Sequence, residues 1–218
     1  MSQVAAFFDM DLTLIRVNSA RLWVQYLWRE GRLAKRDLVR SAMGLVGYKL
    51  AVVDMERLAR DAVARLAGEL ESQMHEQVSP WYESIIRPTI CEMMRATLEH
   101  HREQGHHAVL LTASSTYIAA PLARDLAFEH VIASRFEVAD GRFTGNVVDP
   151  LCYGAGKVLH AEAWAREHDV DLEACWFYTD SYTDLPMIRR VGHPVVVNPD
   201  PRLLRWARQN SVKILQAS

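Results

Sequence analysis

The stretch Val4-Ala5-Ala6-Phe7-Phe8-Asp9-Met10-Asp11-Leu12-Thr13-Leu14 decides how this chain reads. An uninterrupted apolar run ends abruptly in two carboxylates and a hydroxyl. Val4 to Phe8 has the length and continuity of a parallel strand covered on both faces. Side chains alternate along an extended chain, so Asp9 and Asp11 lean toward the same side where the strand ends. Two carboxylates placed so repel each other. They need a cation, a shared proton or open water. An acidic metal site at the strand edge and a solvated acidic turn both satisfy these residues taken alone.

Outward from this stretch, the next segment changes character. From about Val17 to about Glu83 there is almost no strand signal. Leu22, Val24, Tyr26 and Leu27 keep helical spacing up to Gly31. Leu38 to Val46 forms a second run that ends near Gly47 or Tyr48. Asp54 reads as the N-cap of a third, with Leu58, Ala59, Ala62, Val63 and Leu66 on one face and Gly68 as its stop. A fourth run, Leu70 to Val78, closes at Ser79-Pro80.

Strand and helix then alternate. A helix is predicted over Thr89–Gln104, with Ile90, Met93, Met94 and Leu98 inward. The strand Ala108–Leu111 ends in the hydroxyl-rich turn Thr112-Ala113-Ser114-Ser115, before a helix from about Thr116. His130–Ala133 is a strand, and Phe136–Val148 a hairpin about Asp140-Gly141. Gly156–His168 follows as a helix, Cys175–Tyr178 as a strand, and Ser181–Arg190 as a helix. His193–Val197, Pro201–Gln209 and Val212–Leu215 complete the pattern. The architecture this predicts is α/β, a parallel sheet with helices on both faces. Residues 1–16 and 85–218 form its core, and 17–84 a helical insert after the first strand.

The composition narrows the function classes. The 218 residues carry 25 basic and 27 acidic side chains, so no excess of positive charge draws the chain to nucleic acid. No apolar run approaches the ~20 residues that span a bilayer. Cys91, Cys152 and Cys175 are too widely separated for metal-ligand spacing and read as reduced, buried thiols. Together with an amino terminus unlike a signal peptide, they lead to the expectation of a cytoplasmic protein.

Four features fall at the carboxyl ends of predicted strands, where an open α/β sheet collects its ligands. They are Asp9 with Asp11, Thr112, Lys157 at a helix start after Gly154-Ala155-Gly156, and Asp180 with Asp184. Each has an ordinary reading alone: Thr112 a helix cap, Lys157 a surface lysine, Asp180 a cap. All of them at one edge is a different matter. Carboxylates in this number can hold Mg²⁺, which prefers oxygen donors and relieves their repulsion. Asp9 can then attack phosphorus, and Asp11 can move the protons. Mg²⁺, Lys157, Thr112 and loop amides would stabilise charge on a transferred phosphoryl group. The run Gly154-Ala155-Gly156-Lys157-Val158 is not a phosphate-binding Walker loop, because Val158 stands where a hydroxyl should.

The stretches Asp9-Met10-Asp11-Leu12-Thr13, Leu111-Thr112-Ala113-Ser114, Gly156-Lys157 and Asp180-Ser181-Tyr182-Thr183-Asp184 resemble the four motifs of the haloacid dehalogenase superfamily. The helical insert between the first two is similar to that of its phosphoserine phosphatase-like branch. The resemblance implies a Rossmann-like core with a helical cap. It implies Asp9 as nucleophile and Asp11 as acid/base, with the Asp11 carbonyl on Mg²⁺. It further implies Thr112 and Lys157 as phosphate ligands, Asp180 as a metal ligand, and Asp184 orienting a metal-bound water or Lys157. Thr13, Ala113, Ser114 and Thr183 lie within the motifs on the substrate side. Asn18, where phosphoserine phosphatases carry a substrate-binding glutamate, and Arg60 in the insert are candidates for recognising the rest of the substrate. Ala113, Ser114, Thr179 and Thr183 also depart from the phosphoserine pattern. The departures resemble less specific branch members, some of them histidinol-phosphate phosphatases.

The implied activity is Mg²⁺-dependent hydrolysis of a small phosphorylated metabolite. A phosphotransferase or mutase shares the motifs. A dehalogenase has no need of Asp11, and a receiver-like phospho-aspartate module has no need of the insert. The pairs His100-His101 and His106-His107 read as a solvated helix end. Arg57, Arg60 and Arg65 read by default as a charged outer face. Trp23, Tyr26, Trp28, Tyr48, Trp81 and Tyr82 read as packing within the insert.

Overall fold

A computed structural model describes residues 3–32 and 55–217. The predicted helix over Leu38–Val46 and the Asp54 cap lie outside them. Strands β1 (Ala5–Phe8), β2 (His107–Ser115), β3 (His130–Ala139), β4 (Arg142–Val148), β5 (Trp176–Thr179), β6 (His193–Val197) and β7 (Lys213–Leu215) form one sheet in the order β4-β3-β2-β1-β5-β6-β7. All neighbours are parallel except β3 and β4, the hairpin about Asp140 and Gly141. Both turn residues have positive φ (50° and 71°), as the tight hairpin connection demands.

β1 is fully buried and sits between β2 and β5. Strand order reverses there, which opens a crevice beyond its carboxyl end. Phe8 lies level with Leu110 on one side and Tyr178 on the other. The register therefore brings the ends of β1, β2 and β5, and with them Asp9, Thr112 and Asp180, to one edge. Two apolar layers fill the faces. One contains Phe8, Leu110, Leu122 and Trp81; the other contains Phe7, Leu111, Phe177 and Leu203.

Helices α1 (Ser19–Arg29), α2 (Met55–Ala64) and α3 (Glu71–Trp81) leave the sheet after β1, as predicted. Trp81 is fully buried, with Trp23 edge-on to it and stacked on Tyr26, so these aromatics are packing. The segment after α2 pairs with β4: Gly68 N–H donates to the Phe143 carbonyl and Phe143 N–H to the Glu69 carbonyl. These bonds cover a sheet edge that would otherwise offer unpaired amides.

Four local expectations are corrected. Ser79-Pro80 does not end α3. The helix continues to Trp81, into one wide turn (Tyr82–Ile86) and a tight one (Arg87–Thr89). Burial of Val78, Trp81, Tyr82 and Ile86 outweighs the hydrogen bond that Pro80 cannot make. The next helix, α4 (Glu92–Glu103), begins three residues late. Residues before it are spent on the loop after β1: Arg16 N–H donates to the Thr89 carbonyl and Cys91 N–H to that of Leu14. Met93 then faces outward, 43% exposed. Thr112 to Ser115 is not a turn but a continuation of β2, paired with β3 at Thr112 and Ser115 with a bulge between them, and Ser115 rather than Thr112 caps α5 (Thr116–Asp125). Ser181–Arg190 is a short turn followed by α7 (Leu185–Ile188).

The histidine pairs also differ from expectation. His101 is buried, with Nε2 2.8 Å from the Tyr178 hydroxyl and Nδ1 2.9 Å from His106 Nδ1. Adjacent residues on a helix end diverge, so His100 faces out while His101 enters the core. Burial, then the charges of His106 and His100, pushes the His101 pKa down to about 4. An unfolded chain takes up this proton near the ordinary value of ~6.5 and the folded one does not. The neutral ring's contribution is therefore intact above that value and lost as pH falls from there toward 4. Acidification should cost the wild type on the order of 2 kcal/mol more than it costs His101→Gln. Thermal unfolding of both at pH 7.5 and 4.5 checks this, and equal slopes refute it.

Candidate active site

Asp9 follows β1 directly. Its N–H donates to the Tyr178 carbonyl at 2.9 Å, which fixes the backbone across the gap to β5. Its side chain is buried, and Lys157 Nζ lies 2.8 Å from Oδ1. The same ammonium donates to Asp184 Oδ2 at 2.8 Å, and Thr179 Oγ1 donates to that oxygen at 2.6 Å. Lys157, at 2% exposure, is no surface lysine.

Glycine makes this possible. Lys157 lies in the first turn of α6 (Ala155–Glu167), and a Cβ on Gly156 would come within 1.9 Å of the Leu151 carbonyl oxygen. No side chain fits there. Gly156→Ala should push α6 away from residue 151, destabilise the fold by about 2 kcal/mol or more, and lower activity by displacing Lys157. Chemical unfolding and an activity assay test both; an unchanged protein would refute the account.

Asp11 is held differently. Ser19, the first residue of α1, donates its N–H to Oδ1 at 2.8 Å and its hydroxyl to Oδ2 at 3.0 Å. The Ser114 hydroxyl lies 3.0 Å from that of Ser19 and 3.5 Å from Asp11 Oδ2. A carboxylate at a helix N-terminus meets both unpaired amides and the positive end of the dipole. Ser19 is fully buried and was not among the candidates read from the sequence. The only signal was its place beside Asn18, at the start of a helical pattern.

The electrostatics are unbalanced: Asp9, Asp11, Asp180 and Asp184 face one ammonium. Burial pushes the Asp9 pKa up to about 7, with Lys157 opposing and Asp184 and Asp11 adding. Burial, then the charges of Asp9 and Asp184, pushes Asp180 up to about 9. Burial raises Asp11 as well, against the two Ser19 hydrogen bonds. For Lys157, burial works downward, but Asp184 and Asp9 outweigh it and hold the ammonium above its usual value. A buried cluster of this sign is short of positive charge.

The remaining candidates fall as follows. Thr112 is buried, and its Oγ1 accepts from Ser114 N–H at 3.1 Å. Ala113 is exposed beyond it, its carbonyl accepting from Ser134 Oγ. Thr13 is buried, and its hydroxyl has no partner among the described residues. Thr183 Oγ1 lies 2.9 Å from Ser181 Oγ. Asp200 binds Tyr182 N–H at 2.6 Å while capping α8 (Pro201–Gln209), and so ties down the loop that carries Asp180. Asn18 is exposed, and its side chain caps α1 by accepting from Arg21 N–H. Arg60 pairs with Asp149 at the end of β4. Both insert candidates thus have structural partners.

Comparisons with known proteins place the chain in a family. The family model for haloacid dehalogenase-like hydrolases matches residues 6–189. A probable phosphatase of Mycobacterium tuberculosis is 32% identical over 220 residues, covering 100% of this chain and 76% of that protein. A histidinol-phosphatase of Neisseria meningitidis is 28% identical over 215 residues, covering 96% and 97%. A Bordetella pertussis protein of unknown function superposes with a TM-score of 0.91 at 26% identity, covering 99% of each chain. A phosphoserine phosphatase, solved as a phospho-aspartyl intermediate analogue, shares the fold with a TM-score of 0.69 at 18% identity, covering 99% and 93%. The crevice at the reversal of strand order, its buried acids and the family match lead to one conclusion: the chain belongs to the haloacid dehalogenase-like hydrolase family.

Proposed function

We propose that the chain is a Mg²⁺-dependent phosphatase that hydrolyses a small-molecule phosphomonoester through a phospho-aspartate on Asp9. The observation that carries the reading is the Asp9–Lys157–Asp184 relay beside a separately held Asp11. Lys157 engages Asp9 Oδ1, which leaves Oδ2 to attack phosphorus. The P–O bond to the substrate oxygen breaks, and Asp11 gives that oxygen its proton. Asp11, now ionised, takes a proton from water as the water attacks the acyl phosphate. Phosphate leaves and Asp9 is restored. Thr112 and Lys157 bind phosphoryl oxygens.

The site fits a hard divalent cation. Its donors are buried carboxylates with one counter-charge, and the Asp180 carboxylate accepts no hydrogen bond from the described residues. Asp9, the Asp11 carbonyl and Asp180 would hold Mg²⁺, with Asp184 orienting its water or Lys157. Bound there, Mg²⁺ supplies the missing positive charge against the carboxylates and the phosphoryl oxygens.

Residues 17–84 act as a cap that excludes water from the acyl phosphate and selects the leaving group. Ser19 joins that cap to the chemistry, since it starts the first insert helix and orients Asp11. Ser19→Ala should lower kcat roughly 10-fold with little change in KM. It should also move the acidic limb of the kcat profile to higher pH, because a hydrogen bond that favours ionised Asp11 is gone. Unchanged kcat and profile would remove Ser19 from the mechanism.

Phosphoserine and histidinol phosphate head the candidate substrates, together with sugar phosphates. Purified chain is to be assayed with each, with and without Mg²⁺. Release of phosphate from at least one, abolished by chelation, is expected. Metal-independent turnover, or none with any phosphomonoester, would overturn the proposal.

A further inference from the structure

We propose that His107, Glu129 and His130 form a second metal site, selective for a borderline transition ion of the Zn²⁺ class, at the sheet edge opposite the catalytic acids. His107 opens β2 and His130 opens the neighbouring parallel strand β3, with ring centres 5.6 Å apart. Glu129 immediately precedes β3. One ligand atom from each lies within 4.8 Å of the others. From His107 to Thr112, β2 runs about 16 Å at its ordinary rise per residue. The cluster is therefore separate from the Asp9 crevice.

The donor set decides the metal. Two imidazoles and one carboxylate suit Zn²⁺ and its neighbours, whereas the all-oxygen catalytic cluster suits Mg²⁺. Zn–N and Zn–O bonds of about 2.0–2.2 Å set tetrahedral ligand atoms about 3.3–3.5 Å apart. The three side chains are partly or fully exposed, and coordination would draw their ligand atoms together from within 4.8 Å. A solvent water completes the fourth position.

The surroundings prepare the rings. Gln3 Oε1 accepts a hydrogen bond from His107 Nε2, which leaves the lone pair on Nδ1. A partner of this kind orients a metal-binding imidazole and fixes its tautomer. Trp164 packs against both rings, at 5.7 Å from His107 and 5.0 Å from His130. His168, stacked on Trp164 at 4.3 Å, lies 4.6 Å from His130.

Zn²⁺ titrated calorimetrically into the full chain, with Mg²⁺ saturating the acidic crevice, tests the proposal. One equivalent should bind the wild type. His130→Gln, His107→Gln and Glu129→Gln should each weaken it about 10-fold or more, and His106→Gln should leave it unchanged. Matching unfolding midpoints without zinc show that the variants fold, and Cu²⁺ in place of Zn²⁺ should show nitrogen coupling from two imidazoles in its EPR spectrum. No zinc binding by the wild type, equal binding by all variants, or loss in His106→Gln instead would overturn it.

Discussion

Asp9→Asn should reduce phosphomonoester turnover by at least about 10³-fold while leaving the fold as stable as before. The chemical half of this follows from its place: an amide cannot form the acyl phosphate. The structural half follows from the charge balance. Four acids crowd one ammonium, and Asp9 already resists ionisation, with its pKa near 7. A neutral isostere relieves repulsion, although it weakens the bond to Lys157. The two effects oppose, so the unfolding midpoint should move by no more than a few degrees. Full retained activity would remove Asp9 as nucleophile. A collapsed midpoint would show that the charge on Asp9 stabilises the fold instead.

Lys157→Met should be the most damaging single substitution for stability. It leaves Asp9 and Asp184 buried without their cation, and removing one partner of a buried ion pair costs about 3–5 kcal/mol. At this chain length that is a fall of roughly 6–20 °C in the midpoint. The loss should shrink as pH falls, because protons can replace the missing charge. It should also shrink when Mg²⁺ is added. Asp184→Asn in the same chain should recover part of it, since one unpaired acid is gone. Activity should fall by about 10²-fold or more even where the protein is folded, because a phosphoryl oxygen loses its cationic partner. Thermal melts from pH 6 to 8, with and without Mg²⁺, check the stability half. A destabilisation that does not vary with pH would contradict the charge account.

The sheet was legible because its strands are short apolar runs that stop at polar residues. Ala5–Phe8, His193–Val197 and the hairpin at Asp140-Gly141 needed nothing from elsewhere in the chain. Asp9, Thr112 and Asp180 could be grouped for the same reason, since each ends or follows such a run, while Lys157 was marked by its place at a helix start after Gly154-Ala155-Gly156. What escaped depends on tertiary contacts. Pro80 reads as a helix stop, but Trp81 and Ile86 lie behind it in the core. Thr112 to Ser115 reads as a turn, but β3 lies alongside and pairs with both its ends, so β2 runs on through a bulge. Ser19 and Asp200 are ordinary helix-start residues in sequence, and only the fold brings one to Asp11 and the other to Tyr182. The same holds for His107 and His130, which are 23 positions apart and meet because their strands are neighbours.

The central claim is that phosphate passes through Asp9. Acid-quenched enzyme, taken during steady turnover and digested, can be read by mass spectrometry for a phosphoryl group on the peptide that carries Asp9. The account predicts a phosphorylated fraction there that decays when substrate is exhausted and is absent from Asp9→Asn. Turnover by the wild type with no covalent phosphate at Asp9, at any quench time, would contradict it.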